Sequence, residues 1–244
     1  MSAPAGIAMG GKALYGAAVG ILMLEARFPR IPGDIGNATT WPFPVLYKVV
    51  PGASPDRVVR QRAEGLLEAF VAGGRELVAL GADGITTNCG FLSLFQADLA
   101  AVCAVPVATS ALIQAPLIER LLPPGRRVGI LTVCAASLTP EHLAAAGVAL
   151  DTPIVGTDGG REFTRVLLGN ELELDVAAAE RDILEAGDRL VARHPEVGAV
   201  LLECTNMCPY ARALSDRLAL PVFDMVSFVT WFHGALAPRR WPAQ

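Results

Sequence analysis

Two stretches decide how this chain folds: Gly84-Ile85-Thr86-Thr87-Asn88-Cys89 and, further on, Ala199-Val200-Leu201-Leu202-Glu203-Cys204. Each is a short apolar run that closes on a cysteine, and in each a Pro-Val pair (Pro106-Val107, Pro221-Val222) begins 17 residues later. The tetrapeptide Val-Gly-Ile-Leu also occurs twice, at 19–22 and 128–131. Cysteines and prolines repeat at an offset of 115 residues, the tetrapeptides at 109. Three markers at nearly one offset suggest an internal duplication with one thiol per half at a matching position. Two such halves folded face to face aim two thiols at one guest from opposite sides, as a two-base proton transfer at carbon requires.

Outward from these runs, β-type segments alternate with Ala/Leu-rich helical ones. The pattern predicts strands at Val19–Leu24, Gly84–Asn88, Pro106–Ala108, Arg127–Val133, Gly198–Glu203 and Pro221–Asp224, with a β-type piece near Pro153–Val155. The segment from Arg27 to Pro44 carries four prolines and two glycines and is read as a long loop after the first strand. Ser54-Pro55-Asp56 is a helix start, with a side-chain cap, a preset proline and an acid near the positive dipole end. That helix is expected to run to about Gly73, with a separate turn over Arg75–Leu80. Further helices are expected at Leu92–Ala101, from Ser110 to Leu122, from Thr139-Pro140-Glu141, around Glu162–Leu168, at Val176–Arg193, at Pro209–Leu218, and at the end to about Leu236. This alternation implies an α/β protein with parallel sheets and helices on both faces. The lobes are expected at 1–110 and 111–220, with 221–244 free to pack back on the first.

The chain of 244 residues is long enough for two lobes that each bury a core. It is 52% hydrophobic and 18% charged, with mean hydropathy +0.44, which suits buried parallel strands. A net charge of −4, no dense basic block and 6% aromatic residues argue against a nucleic-acid partner. The apolar stretch from Ala13 to Leu24 is too short to span a bilayer and is read as the first strand rather than an export signal, so no membrane partner is expected. Five cysteines without a regular framework point to free thiols in a reducing cytoplasm. A homo-oligomer is compatible with the sequence but not specified by it.

Cys89 and Cys204 each sit where a strand ends and a helix soon begins. Unpaired N–H groups at such a turn bind anions, and the same dipole end is expected to lower a thiol pKa toward neutrality. Asn88, and Thr205 with Asn206, add donors for a carboxylate that gains enediolate character as its α-proton leaves. A single strand-end cysteine is most simply a small core residue, and Cys103 and Cys134 are read that way. The matched pair, each member flanked by Asn or Thr, is what raises Cys89 and Cys204 above that reading. Cys204-x3-Cys208 lacks a second pair or nearby histidines at zinc spacing, so no metal is expected. Thr132 and Ser137 follow the strand that opens the second half and are candidates for substrate contact. Arg27, Arg30 and Asp34 lie in the loop after the first strand, where an arginine could take an anion bidentately or simply face solvent. The chain has no Walker or Rossmann glycine fingerprint, so no nucleotide cofactor is supported.

These motifs resemble the aspartate/glutamate racemase superfamily, which also includes hydantoin racemases, maleate isomerases and arylmalonate decarboxylases. Leu202-Glu203-Cys204-Thr205-Asn206-Met207-Cys208-Pro209 is similar to the glutamate-racemase stretch in which Gly-Cys-Thr-His precedes an aromatic residue and a proline. Thr86-Thr87-Asn88-Cys89-Gly90 resembles that family's first catalytic segment, Cys-Asn-Thr. Val128–Thr132, followed by Ser137-Leu138-Thr139, resembles the strand opening its second lobe. The similarity covers about 15–235. Asn88 precedes its cysteine where the family's asparagine follows, and Asn206 stands in the place of a histidine.

The resemblance implies two pseudo-symmetric flavodoxin-like lobes with the active site in the cleft between them. It also implies cofactor-independent racemisation, without pyridoxal phosphate, of a small α-substituted carboxylic acid such as an amino acid. Cys89 and Cys204 are then the opposed acid/base pair, with Asn88, Gly90, Thr132, Ser137, Thr205 and Asn206 around the substrate. The leading expectation is therefore an isomerase. Two alternatives stay open: a decarboxylase or cis–trans isomerase of the same superfamily, and a non-catalytic two-lobed carboxylate-binding protein.

Overall fold

A computed structural model describes Ala8, residues 10–239 and Trp241; the outermost ends of the expected lobes lie outside the described residues. The first lobe is built from β1 (Val19–Leu24), β2 (Val45–Val50), α1 (Pro55–Val59), α2 (Leu67–Leu80), β3 (Gly84–Thr87), α3 (Gln96–Cys103) and β4 (Val107–Ala108). After α4 (Ala115–Leu121), the second lobe follows with β5 (Arg127–Thr132), α5 (Pro140–Ala145), β6 (Ile154–Gly156), α6 (Phe163–Gly169), α7 (Val176–Arg193), β7 (Val197–Leu202), α8 (Ala211–Leu218) and β8 (Val222–Phe223). The chain then forms α9 (Met225–Leu236).

Each lobe holds a four-stranded sheet whose pairings are all parallel, ordered β2-β1-β3-β4 in the first and β6-β5-β7-β8 in the second. The strand orders are the same permutation, so the duplication read from the cysteines and prolines extends to topology. β1 is buried along its whole length, as an unbroken apolar strand must be when helices cover both faces of a parallel sheet. In each sheet the chain reverses direction of travel between the two central strands. The crevice beyond their carboxyl ends, at that switch, is where open α/β sheets take ligands.

Three local expectations are corrected. The segment 45–50, left unassigned beyond the proline-rich loop, is the edge strand β2, in register from Val19↔Val45 to Leu24↔Val50. The helix opened by Ser54 ends at Val59, because Arg62 and Ala63 take left-handed φ of 55° and 54° before Gly65 at 70°. No glycine marks the first two of those positions, so the break carries no sequence signal. Conversely, α2 runs straight through Gly73-Gly74. Those glycines let the helix approach β1 and α3: a Cβ on Gly73 would meet Leu22 Cδ2 at 2.9 Å, and one on Gly74 would meet Cys103 Sγ at 2.8 Å.

β8 pairs with β7 in the second sheet, and α9 then crosses to the first lobe, where Phe232 and Leu236 lie against Gly84. No described helix is long and apolar enough to cross a membrane.

Candidate active site

The chain leaves β3 through Asn88 and Cys89 and enters a 3-10 turn over Gly90–Phe95; it leaves β7 through Glu203 and Cys204 into a 3-10 turn over Thr205–Tyr210. Both cysteines cap their turns in extended conformation. They line one cavity between the lobes, with Asn88, Gly90, Glu203, Thr205 and Asn206 beside them. The two thiols thus come to one cavity from opposite lobes. The cavity is small, about 20 Å³, which is room for roughly one water. Pro55 and Val59 of α1 and Leu167 and Leu168 of α6 help close it, and α1 packs on α6 across the lobe boundary. A carboxylic acid must displace side chains or part these walls to enter.

The two strand ends are stitched in parallel ways. Asn88 Oδ1 accepts from the Leu24 amide at 2.7 Å, and the Thr132 hydroxyl donates to Glu203 Oε2 at 2.7 Å. Each bond therefore bridges the two central strands of its sheet. Thr205 Oγ1 donates to the Asn88 carbonyl at 2.6 Å and joins the lobes at the site. Gly90 is required by the same closeness, since a Cβ there would collide with Glu203 Oε1 and the Glu203 carbonyl.

Arg30 reaches the cavity wall from the long loop of the first lobe. Its Nη1 pairs with the buried Asp34 carboxylate at 2.9 Å, and its guanidinium lies 4.7 Å from the centre of the Phe28 ring. Asp34 Oδ2 accepts from Asn206 Nδ2, and Asn206 Oδ1 accepts from the Cys204 thiol at 3.6 Å. A continuous polar chain thus runs from the arginine to the second cysteine. Of the five buried side-chain polar atoms without a partner among the described residues, three belong to this cavity wall: Arg30 Nη2, Asn88 Nδ2 and Glu203 Oε1. An orphaned buried polar atom costs roughly 1–3 kcal/mol. Three of them gather in the residues of one cavity, where a water or a ligand can supply the missing partners.

The structure brings six of the eight expected site residues to this wall: Cys89, Cys204, Asn88, Gly90, Thr205 and Asn206. Two it does not. Thr132 is wholly buried behind Glu203, and Ser137 turns its hydroxyl to Cys134 Sγ at 3.2 Å instead of the cavity. The expected lowering of the thiol pKa values is also overturned. Burial first, and Glu203 second, push Cys89 up to about 12, against the smaller pull of the Phe91 and Leu92 amides. The same two causes raise Cys204 well above the ordinary thiol range. The turn amides are present as expected, but desolvation between the lobes outweighs them. Glu203, which the sequence reading passed over, is itself pushed up to about 7 by burial. Its signal was available: it stands 115 residues after Asn88, the offset of the cysteines.

Solved structures with this arrangement include arylmalonate decarboxylase, at 20% identity and TM-score 0.58 over 93% of this chain and 95% of that one. The allantoin racemase of Klebsiella pneumoniae matches at 18% identity and TM-score 0.58, covering 93% and 96% of the two chains. The fold is that of the aspartate/glutamate racemase superfamily.

Within this superfamily fold, sequence relatives carry a different activity name from the expected one. A dimethylsulfoniopropionate lyase of Durusdinium sp. clade D is 27% identical over 232 residues, covering 88% of this chain and 74% of its own length. Dimethylsulfoniopropionate lyase 5 of Emiliania huxleyi is 31% identical over 231 residues, covering 89% of this chain and 45% of its own length. The chain thus spans about half to three quarters of these two relatives. No family model matches it. These relatives are named as lyases, so the comparisons support the racemase fold without supporting isomerase activity in particular.

Proposed function

We propose that this chain is a cofactor-independent carbon-acid enzyme that removes the α-proton of a small carboxylate and completes a β-elimination, with dimethylsulfoniopropionate the substrate its sequence relatives suggest. The observation that carries this reading is the pair of cysteines at equivalent strand ends, facing one cavity whose wall holds unpartnered donors on Arg30 and Asn88. The carboxylate takes those two donors. They gain strength as charge moves onto its oxygens in the transition state, in a site that excludes water. One cysteine, as thiolate, accepts the α-proton. The electron pair left on carbon becomes the new double bond, and the β-carbon–sulfur bond breaks with its electron pair on sulfur. Dimethyl sulfide and acrylate are the products, and the opposed cysteine stands on the other face of the α-carbon.

Racemisation is the second reading, favoured by the matched pair itself, since a thiol on each face is what inversion at carbon needs. Incubation in deuterium oxide separates the two. Release of dimethyl sulfide and acrylate from dimethylsulfoniopropionate supports elimination. Deuterium entering the α-position of both enantiomers of a chiral acid, without dimethyl sulfide, supports racemisation. An absence of both would leave the protein a binder and sink the enzymatic reading.

A further inference from the structure

The duplication makes Asn88 and Glu203 equivalent positions, each directly before its cysteine. Both line the cavity, both use one side-chain oxygen to stitch the central strands, and both keep one buried polar atom unpartnered. The polarity of that atom is reversed between them. On the first lobe it is a donor, Asn88 Nδ2, reinforced by Arg30 Nη2; on the second it is an acceptor, Glu203 Oε1. A second copy of an asparagine would have completed a symmetric anion site. An acid there does the opposite, because it repels a carboxylate and attracts a cation.

We propose that Glu203 recognises a positively charged group on the substrate, so that the cavity selects small zwitterions bearing a carboxylate and an onium or ammonium group. The inference rests on the reading of the Arg30–Asn88 side as a carboxylate site. Glu203 has no exposed surface, and among the described residues it has no ion-pair partner. An ionised carboxylate so placed is costly until a cation joins it. The Phe28 and Phe91 rings also line the wall, which gives the cation's methyl groups an apolar setting.

Calorimetric titration of the full chain with unreactive ligands tests this. Dimethylsulfonioacetate cannot undergo β-elimination, and 3-methylbutanoate is its isostere without the positive charge; glycine supplies the ammonium form. The wild type is expected to bind the sulfonium at least about tenfold tighter than the isostere, and Glu203→Gln to bring the two within about threefold. Glycine binding as tightly as the sulfonium would assign the preference to any cation; weaker binding would assign it to methylated onium groups. Either sharpens the proposal. Equal wild-type affinity for sulfonium and isostere would overturn it and leave the carboxylate reading standing, as would a preference that survives in Glu203→Gln. Failure of every ligand to bind would sink the carboxylate reading itself.

A variant that does not fold is covered by a measurement on the wild type. With Glu203 at about 7 in the empty cavity, the sulfonium should expel a fraction of a proton on binding near pH 7, read from two buffers of different ionisation enthalpy. Cys89 and Cys204 are the thiols on the same wall, and burial and Glu203 hold both far above this pH in the empty cavity. The isostere should expel none, and equal proton release by both ligands would contradict the proposal.

Discussion

The two lobes share strand order, cysteine position and the turn that follows each cysteine, yet their contributions to the cavity differ in sign. The first lobe offers donors, Asn88 Nδ2 and Arg30 Nη2, while the second offers a buried acid. The first lobe keeps a glycine after its cysteine because Glu203 fills the space a side chain would need; the second carries Thr205 at the equivalent place and uses its hydroxyl to hold Asn88. A duplicated scaffold thus supplies two thiols by symmetry and distinguishes the two ends of its guest by breaking symmetry one residue to either side.

Experiments can break that comparison at graded cost. Replacing Cys89 or Cys204 by serine should have the largest effect, a fall of roughly 10²–10⁴ in turnover. Under elimination the thiol that takes the α-proton should matter more than the other, whereas under racemisation both losses should be equally severe. Steady-state rates of the two variants, side by side, decide how far the symmetry reaches into chemistry. Arg30→Met should come next. It removes a donor from the wall and leaves the buried Asp34 carboxylate without its guanidinium, at a stability cost of about 3–5 kcal/mol. KM for the carboxylate should rise by one to two orders of magnitude, and a denaturant melt should show the loss.

Gly90→Ala tests the asymmetry after the cysteines. Its methyl collides with Glu203, so stability should fall by about 1–3 kcal/mol with activity largely lost. Thr205→Ala, at the matching position, should cost only about 1 kcal/mol through the lost bond to the Asn88 carbonyl. Melting temperatures of this pair would expose a symmetric tolerance if the lobes were equivalent here.

The pH dependence of stability gives the finest distinction. Glu203 is raised to about 7 when folded, so between the usual carboxylate range and about pH 7 the folded state binds more protons than the unfolded chain at this position. Its contribution to stability is therefore fully present at low pH and declines as pH rises toward 7. Thermal melts of the wild type and Glu203→Gln across that window should diverge in this sense, with the wild type losing ground as pH rises. Parallel curves would place the carboxyl in a more polar setting than its burial indicates.

Much of the frame was legible in the chain because its central strands are unbroken apolar runs and its duplication left repeated words. What the sequence hid follows from distance. The left-handed residues Arg62 and Ala63 look like ordinary helix formers, and Gly73-Gly74 looks like a stop until the strand beneath it is known. β2 is an edge strand whose half-exposed side chains give no strong alternation. At the site, the cysteines and the residues on either side of them were readable from position alone. Thr132 was placed on the right strand end, but its hydroxyl points to Glu203, a partner 71 residues away. The thiol pKa values were misjudged because turn amides are local and visible in sequence, whereas the burial that overrides them is a property of both lobes together.

The central claim is that two sulfurs bracket one carbon. A crystal structure with dimethylsulfonioacetate bound tests it most directly. The account predicts the carboxylate on Arg30 and Asn88, with Cys89 Sγ and Cys204 Sγ on opposite faces of the α-carbon, each within about 3.5 Å of it. A ligand seated against one sulfur alone, or outside the cavity, would contradict it.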